Sequence, residues 1–136
     1  MTVRIVRLGT PRHPGEGTRI GTVRRPPRGV PKAEFASGDW YDVWFPNLSP
    51  SPELVKLALA SQIDLGAAGE KDWAAFTRGY RKEMGNPENA HAIALLAVLS
   101  QQSNFSVGCY CENEARCHRS ILHALLRDAG AHIESA

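Results

Sequence analysis

Near the C-terminus, Cys109-Tyr110-Cys111-Glu112-Asn113-Glu114-Ala115-Arg116-Cys117-His118-Arg119-Ser120 gathers all three cysteines of the chain, a histidine and two arginines. These residue types hold anions and make nucleophiles. If a helix starts at Cys117 or His118, its first-turn amides and its dipole favour negative charge at that point. Arg119 adds a planar cation able to grip phosphate or carboxylate with two parallel bonds, and Ser120 a hydroxyl beside it. A cysteine placed there has its pKa drawn from ~8.5 toward the ~3.5–7.5 range, so thiolate is present at neutral pH. Cys117, if it faces outward, is the first candidate nucleophile. His118 is the candidate acid, base or neutral hydrogen-bond donor, and Cys109, Cys111 and Glu112 stand by in support.

Other uses of the same residues can be weighed by spacing. Cys109, Cys111, Cys117 and His118 could form a Cys3His zinc set, yet Cys-x-Cys along an extended strand and an adjacent Cys-His pair differ from the usual two-residue knuckles. No metal and no cofactor are therefore expected. A tyrosine-phosphatase loop is also strand, cysteine, loop, arginine, helix. Here four residues separate Cys111 from Arg116 and seven separate it from Arg119, neither being the five that such a loop uses, and the glycine-rich interior is missing. A third use is redox, with the three thiols forming and exchanging a disulfide.

The elements that must position this cluster follow from periodicity. Phe105 to Cys111 reads as a strand with Phe105, Val107, Cys109 and Cys111 on one face. It feeds a final helix from about Cys117 or His118 to Ala129, closed by Gly130, whose buried stripe is Ile121, Leu122, Leu125, Leu126 and Ala129. Upstream, Val3 to Leu8 and Arg19 to Val23 read as strands, and Trp40 to Phe45 as a short aromatic one. Helices are predicted from Ser51-Pro52, from about Glu70 to Met84 with Trp73, Phe76, Tyr80 and Met84 on one stripe, and from Asn86-Pro87 through an apolar body ending at Leu99. That last body is apolar nearly all round, which predicts packing on several sides; His91, near its start, reads as a surface or structural histidine. Strands, then helices, then a strand-loop-helix unit describe one α/β domain over residues 1–136, with a mixed or parallel sheet and helices packed on it. There are no repeats.

Charge is unevenly placed. Residues 1–32 hold eight Lys or Arg against Glu16 alone, so the remainder of a chain with formal net charge +2 is acidic. An electropositive N-terminal surface suits a phosphorylated or nucleotide-like small molecule, or nucleic acid. Its densest part, Arg24-Arg25-Pro26-Pro27-Arg28-Gly29-Val30-Pro31-Lys32, is made irregular and rather rigid by three prolines. Arg25 and Arg28 are the candidate anion ligands there, to join Arg119. Nucleic acid as partner would also use Trp40, Tyr41 and Trp44 for stacking. The N-terminus Met1-Thr2-Val3-Arg4 is strand-like, and no apolar run reaches the ~18 residues of a membrane span, so a soluble cytoplasmic protein with no membrane partner is expected.

The Cys109-Tyr110 and Cys117-His118-Arg119-Ser120-Ile121-Leu122 pair of motifs resembles the domain-of-unknown-function family that includes the YeaO-like proteins (DUF488). The N-terminal half resembles the YeaO-like branch as well, in Gly17-Thr18-Arg19-Ile20, Val23-Arg24-Arg25, Pro27 to Lys32, Asp39-Trp40, Ser51-Pro52-Glu53-Leu54 and Phe76-Thr77-Arg78-Gly79-Tyr80. Two departures stand out. Many relatives carry Glu where this chain has Cys111, with Glu112 one place later, and an acidic residue and a tryptophan where it has Arg24 and Pro26. The resemblance implies a shared fold with the arginines and the Cys-His-Arg motif at one sheet edge. It implies no particular activity, and whether the protein is an enzyme is left open at this stage.

Overall fold

Short apolar runs separated by turn residues become five strands in the computed structural model, which describes residues 1–134. The strands are β1 (Val3–Arg7), β2 (Thr18–Gly21), β3 (Val43–Trp44), β4 (Phe105–Cys109) and β5 (Ile133–Glu134). They form one sheet in the order β3-β2-β4-β1-β5, parallel throughout. The helices are α1 (Pro52–Ile63), α2 (Ala67–Met84), α3 (Pro87–Leu99) and α4 (His118–Asp128), and none is long and apolar enough to cross a membrane. β4 is the central strand and all five of its residues are buried, as in a parallel sheet covered on both faces. The expected α/β architecture is present, its sheet parallel rather than mixed.

One core lies between the sheet and the helices: Val3, Ile5, Ile20, Phe105 and Val107 meet Leu54, Phe76, Tyr80, Ile93, Ile121, Leu122 and Leu126. The aromatic stripe of α2 is part of it, with Phe76 stacked between Trp73 and Tyr80. A second, smaller core holds Leu8, Val23, Tyr41, Cys109 and Cys117, with Trp40, Tyr110 and Cys111 at its edge. The cysteines thus sit where β1, β2 and β4 all end, the end of an open α/β sheet at which ligands bind.

Several expectations shift. Trp40 and Tyr41 precede β3 instead of belonging to it, because Asp39 turns the chain at a positive φ of 61° and the Asp42 side chain accepts from the Arg19 amide. Asn86 caps α3 as expected, its side chain accepting from Asn89 N at 3.0 Å. The apolar body of α3 is nonetheless covered on one side only, leaving Leu95 67% and Val98 62% exposed. Its apolarity exceeded what the α2 and α4 contacts require. The basic third is also less exposed than its charge suggests, since Arg19 is fully buried on Glu16 and Arg12 is tied to Asp39 and Asp42.

Candidate thiol site and arginine cleft

β4 ends at Cys109, and the chain returns through Cys111 and a single 3-10 turn, Glu114–Arg116, to Cys117, which caps α4 in extended conformation (φ −123°, ψ 152°). Arg116 anchors that return by donating to the carbonyls of Ser61 and Gly69 and to Glu70. The outcome is a close thiol pair. Cys109 Sγ and Cys117 Sγ lie 2.7 Å apart, well inside the ~3.5–4.0 Å of ordinary non-bonded contact and outside the ~2.05 Å of a disulfide. All three cysteines are free thiols.

His118, the first residue of α4, completes the cluster. Its Nε2 lies 2.9 Å from the Thr22 carbonyl and 3.1 Å from the Thr22 hydroxyl, which itself donates to Gly108 O at 3.0 Å. A carbonyl can only accept, so Nε2 carries the proton and Nδ1 presents a lone pair, 3.7 Å from Cys117 Sγ. Burial, aided by the charge of Arg119, pushes the His118 pKa down to about 4 against the opposing pull of Cys111 and the Thr22 carbonyl. The imidazole is neutral at pH 7 and oriented to accept a thiol proton.

The three thiols divide unequally. Cys111 is partly exposed, and the neighbouring thiols of Cys109 and Cys117 act to hold its pKa below the ordinary thiol range against the cost of burial. The neighbouring sulfurs of Cys111 and Cys117, together with burial, drive Cys109 in the opposite direction. For Cys117, the contact with Cys109 acts downward, but the nearby Cys111 sulfur and burial prevail and raise it to about 11. Of the three sulfurs, the one nearest solvent is the one whose charged form its surroundings favour. Cys117, the foremost sequence candidate, is only 1% exposed.

The remaining site candidates separate into two groups. Arg119 is 3% exposed beneath the cysteine loop, donating through Nη2 to the Cys111 carbonyl while its buried Nε has no partner. Burial opposes its charge, but the thiols of Cys109 and Cys117 more than restore it. Ser120 donates to the Cys117 carbonyl at 2.9 Å and so closes the helix turn. Arg25 and Arg28, by contrast, are exposed and line an open cleft of about 1100 Å³ with Arg7, Thr10, Trp40 and Tyr110. Glu112 is turned away from the thiols and pairs with Arg7 at 3.4 Å. His91 is exposed on α3 and lines none of these spaces.

A second cavity, about 400 Å³, has Cys109, Cys111, Cys117 and His118 on its wall and is otherwise mostly apolar, with Val23, Pro50, Val55 and Leu59. Arg25 and Tyr110 border both spaces, and the Tyr110 hydroxyl donates to the Arg25 carbonyl at 2.8 Å. Arg24 fastens the loop over the cavity by donating twice to the Pro50 carbonyl. As for a metal, the donor atoms of Cys109, Cys117 and His118 lie within 4.8 Å of one another. Two zinc–sulfur bonds of ~2.3 Å at a tetrahedral ion would first require the sulfurs to part.

Thr22 and Gln62 were not singled out from the sequence, and Arg7 only as part of the resemblance, without a role at the site. A lone threonine after a strand and one arginine among many carry no local signal, and their roles come from parallel pairing, which sets Gly21 beside Gly108 and Arg7 beside Cys109. Gln62 reaches the loop from α1, donating to the Arg116 carbonyl at 3.0 Å.

No curated protein and no solved structure matches the chain. A family model does match, over residues 3–130, and its description is the active DUF488-N3 subclade. Spanning nearly the whole domain, from β1 to the end of α4, that match shows that the chain belongs to the DUF488 family.

Proposed function

We propose that this cytoplasmic protein is an enzyme that binds a phosphorylated or nucleotide-like molecule and acts on it with the thiol–imidazole cluster. The anionic part rests on Arg25 and Arg28, with Arg7 beside them, and Trp40 offers a face for a ring. The reacting part enters the apolar cavity. Cys111 supplies the thiolate, and His118 Nδ1, 3.7 Å from Cys117 Sγ, is positioned to take a proton from Cys117. Arg119 serves from below, holding the Cys111 carbonyl with its charge favoured by the Cys109 and Cys117 sulfurs, a positioning role distinct from that of the cleft arginines. Free thiols in such numbers suit a reducing compartment, and the description of the matching subclade as active is in keeping with chemistry at this place.

The single observation that carries this is the common border of the two spaces at Arg25 and Tyr110. An anion held in one is adjacent to the sulfurs in the other. The test is a thermal-shift screen over inorganic phosphate, pyrophosphate, nucleotides and sugar phosphates. Stabilisation by at least one of them, lost in Arg25→Ala/Arg28→Ala, is expected; no response from any, or equal response in the variant, would remove the anion cleft.

A further inference from the structure

We infer that the three thiols also form a hydroperoxide-reducing relay, in which Cys111 is the sulfur first oxidised and Cys109 and Cys117 end as the disulfide. The relay presupposes only that Cys111 is the reactive thiol of the site above; it does not need the arginine cleft. Geometry carries it. All three cysteines line the cavity, but Cys111 is the least buried, whereas Cys109 and Cys117 are 2% and 1% exposed. Their sulfurs, at 2.7 Å, are the closest pair, and Cys109 Sγ also accepts from the Cys111 amide at 3.5 Å. Oxidant reaching the cavity meets the most exposed sulfur first, and the bond that forms most readily joins the other two.

The chemistry balances as follows. The Cys111 thiolate attacks the outer oxygen of a hydroperoxide, the O–O bond breaks, and the released alkoxide takes a proton to leave as alcohol, or as water from hydrogen peroxide. Cys111 is now a sulfenic acid. Cys117 sulfur attacks it and expels hydroxide, which departs as water with the Cys117 proton, leaving a Cys111–Cys117 disulfide. Cys109 sulfur then attacks Cys117, releasing Cys111, which carries away the electron pair and is again a thiolate once the Cys109 proton passes to solvent. Two thiols have been oxidised and one peroxide reduced. The neutral Nδ1 of His118, facing Cys117, is suited to accept the proton as that sulfur becomes a nucleophile.

The experiment treats fully reduced protein with one equivalent of hydrogen peroxide and reads intact mass, followed by alkylation and digestion. Trypsin cuts after Arg116 and chymotrypsin after Tyr110, so each cysteine falls in its own peptide. A loss of two hydrogens is expected, with the Cys109 and Cys117 peptides linked and Cys111 alkylated. Cys111→Ser should slow that linkage by about tenfold or more, yet still form it with excess diamide, which reports that the pair is intact. Should the variant fail to fold, the map of the parent protein decides alone. The relay is overturned if Cys111 ends as sulfinic acid with Cys109 and Cys117 still alkylatable, if the variant oxidises at the parent rate, or if the purified protein carries a metal that holds the pair apart. A phosphate or nucleotide thermal shift on the same reduced samples reports on the arginine cleft independently, so failure of one leaves the other measurable.

Discussion

Two buried polar clusters hang from β4, and they are built to opposite standards. Around Ser106, the Glu16 carboxylate accepts from Arg19 Nε at 2.6 Å, Arg19 Nη2 at 3.0 Å, the Ser106 hydroxyl at 2.6 Å and the His13 amide at 3.2 Å. Arg19 Nη1 donates to the carbonyls of Thr10 and Asp39. Every nitrogen of the Arg19 guanidinium has a partner. Three residues further along the strand, the cluster at Cys109 has crowded sulfurs, a neutral buried imidazole and an arginine nitrogen with no partner. A saturated network fixes loops, and Glu16 with Arg19 does so for the segment that forms one wall of the arginine cleft. An unsaturated one keeps capacity for a ligand or a reaction.

The largest effect that would break this contrast is at the saturated end. Glu16→Ala leaves the Arg19 guanidinium buried without its counter-charge and should cost about 3–5 kcal/mol in denaturant unfolding. A loss no greater than that of a surface substitution would show that the pair is not the clasp described. Next comes pH. The folded pKa of His118 is depressed from 6.5 to about 4, so the unfolded chain binds the proton first and stability should fall as pH drops through that window, by on the order of 3 kcal/mol. Glu16 is depressed from 4.5 to about 2, because Arg19 and Ser106 outweigh the cost of burial. Its contribution is complete above pH 4.5 and is lost only below that. His118→Asn should therefore abolish the upper limb of the acid profile and keep the lower; retention of both limbs would mean that His118 is not the titrating group.

Smaller effects sharpen the reactive end. Arg25→Ala should change stability by no more than about 0.5 kcal/mol, since the side chain is exposed, while weakening the phosphate response. Loss of fold in that variant would make Arg25 structural. In the native protein, Cys111 should alkylate ahead of Cys109 and Cys117, and uniform labelling of all three would return the thiols to a packing role.

Most of the scaffold was legible in sequence because its signals are local. Asn86-Pro87 and Gly130, at φ 94°, mark the ends of helices directly. α2 begins at Ala67, a turn before the predicted Glu70, because Ala67 and Ala68 extend it without any capping side chain. The cysteine loop and α4 were legible for the same local reason. What escaped depends on pairing between distant segments. Thr22 acquires its hold on His118 only because β2 lies beside β4, and Glu16 reads as the lone acid of a basic stretch until Arg19 is seen buried on it. Likewise Arg119 and Arg25 are both arginines near a helix start or loop, yet β-strand order places one under the loop and the other at the cleft. Alternation extended the strand to Cys111; it ends at Cys109, and Cys111 lines the same cavity as Cys109 from the loop.

The most direct test of the account is the rate at which iodoacetamide modifies Cys111, with and without whichever phosphate ligand gives the largest thermal shift. Bound ligand should slow modification in the parent protein and leave it unchanged in Arg25→Ala/Arg28→Ala. Equal rates with and without ligand in the parent, when the thermal shift shows that it is bound, would contradict the claim that cleft and thiols act as one site.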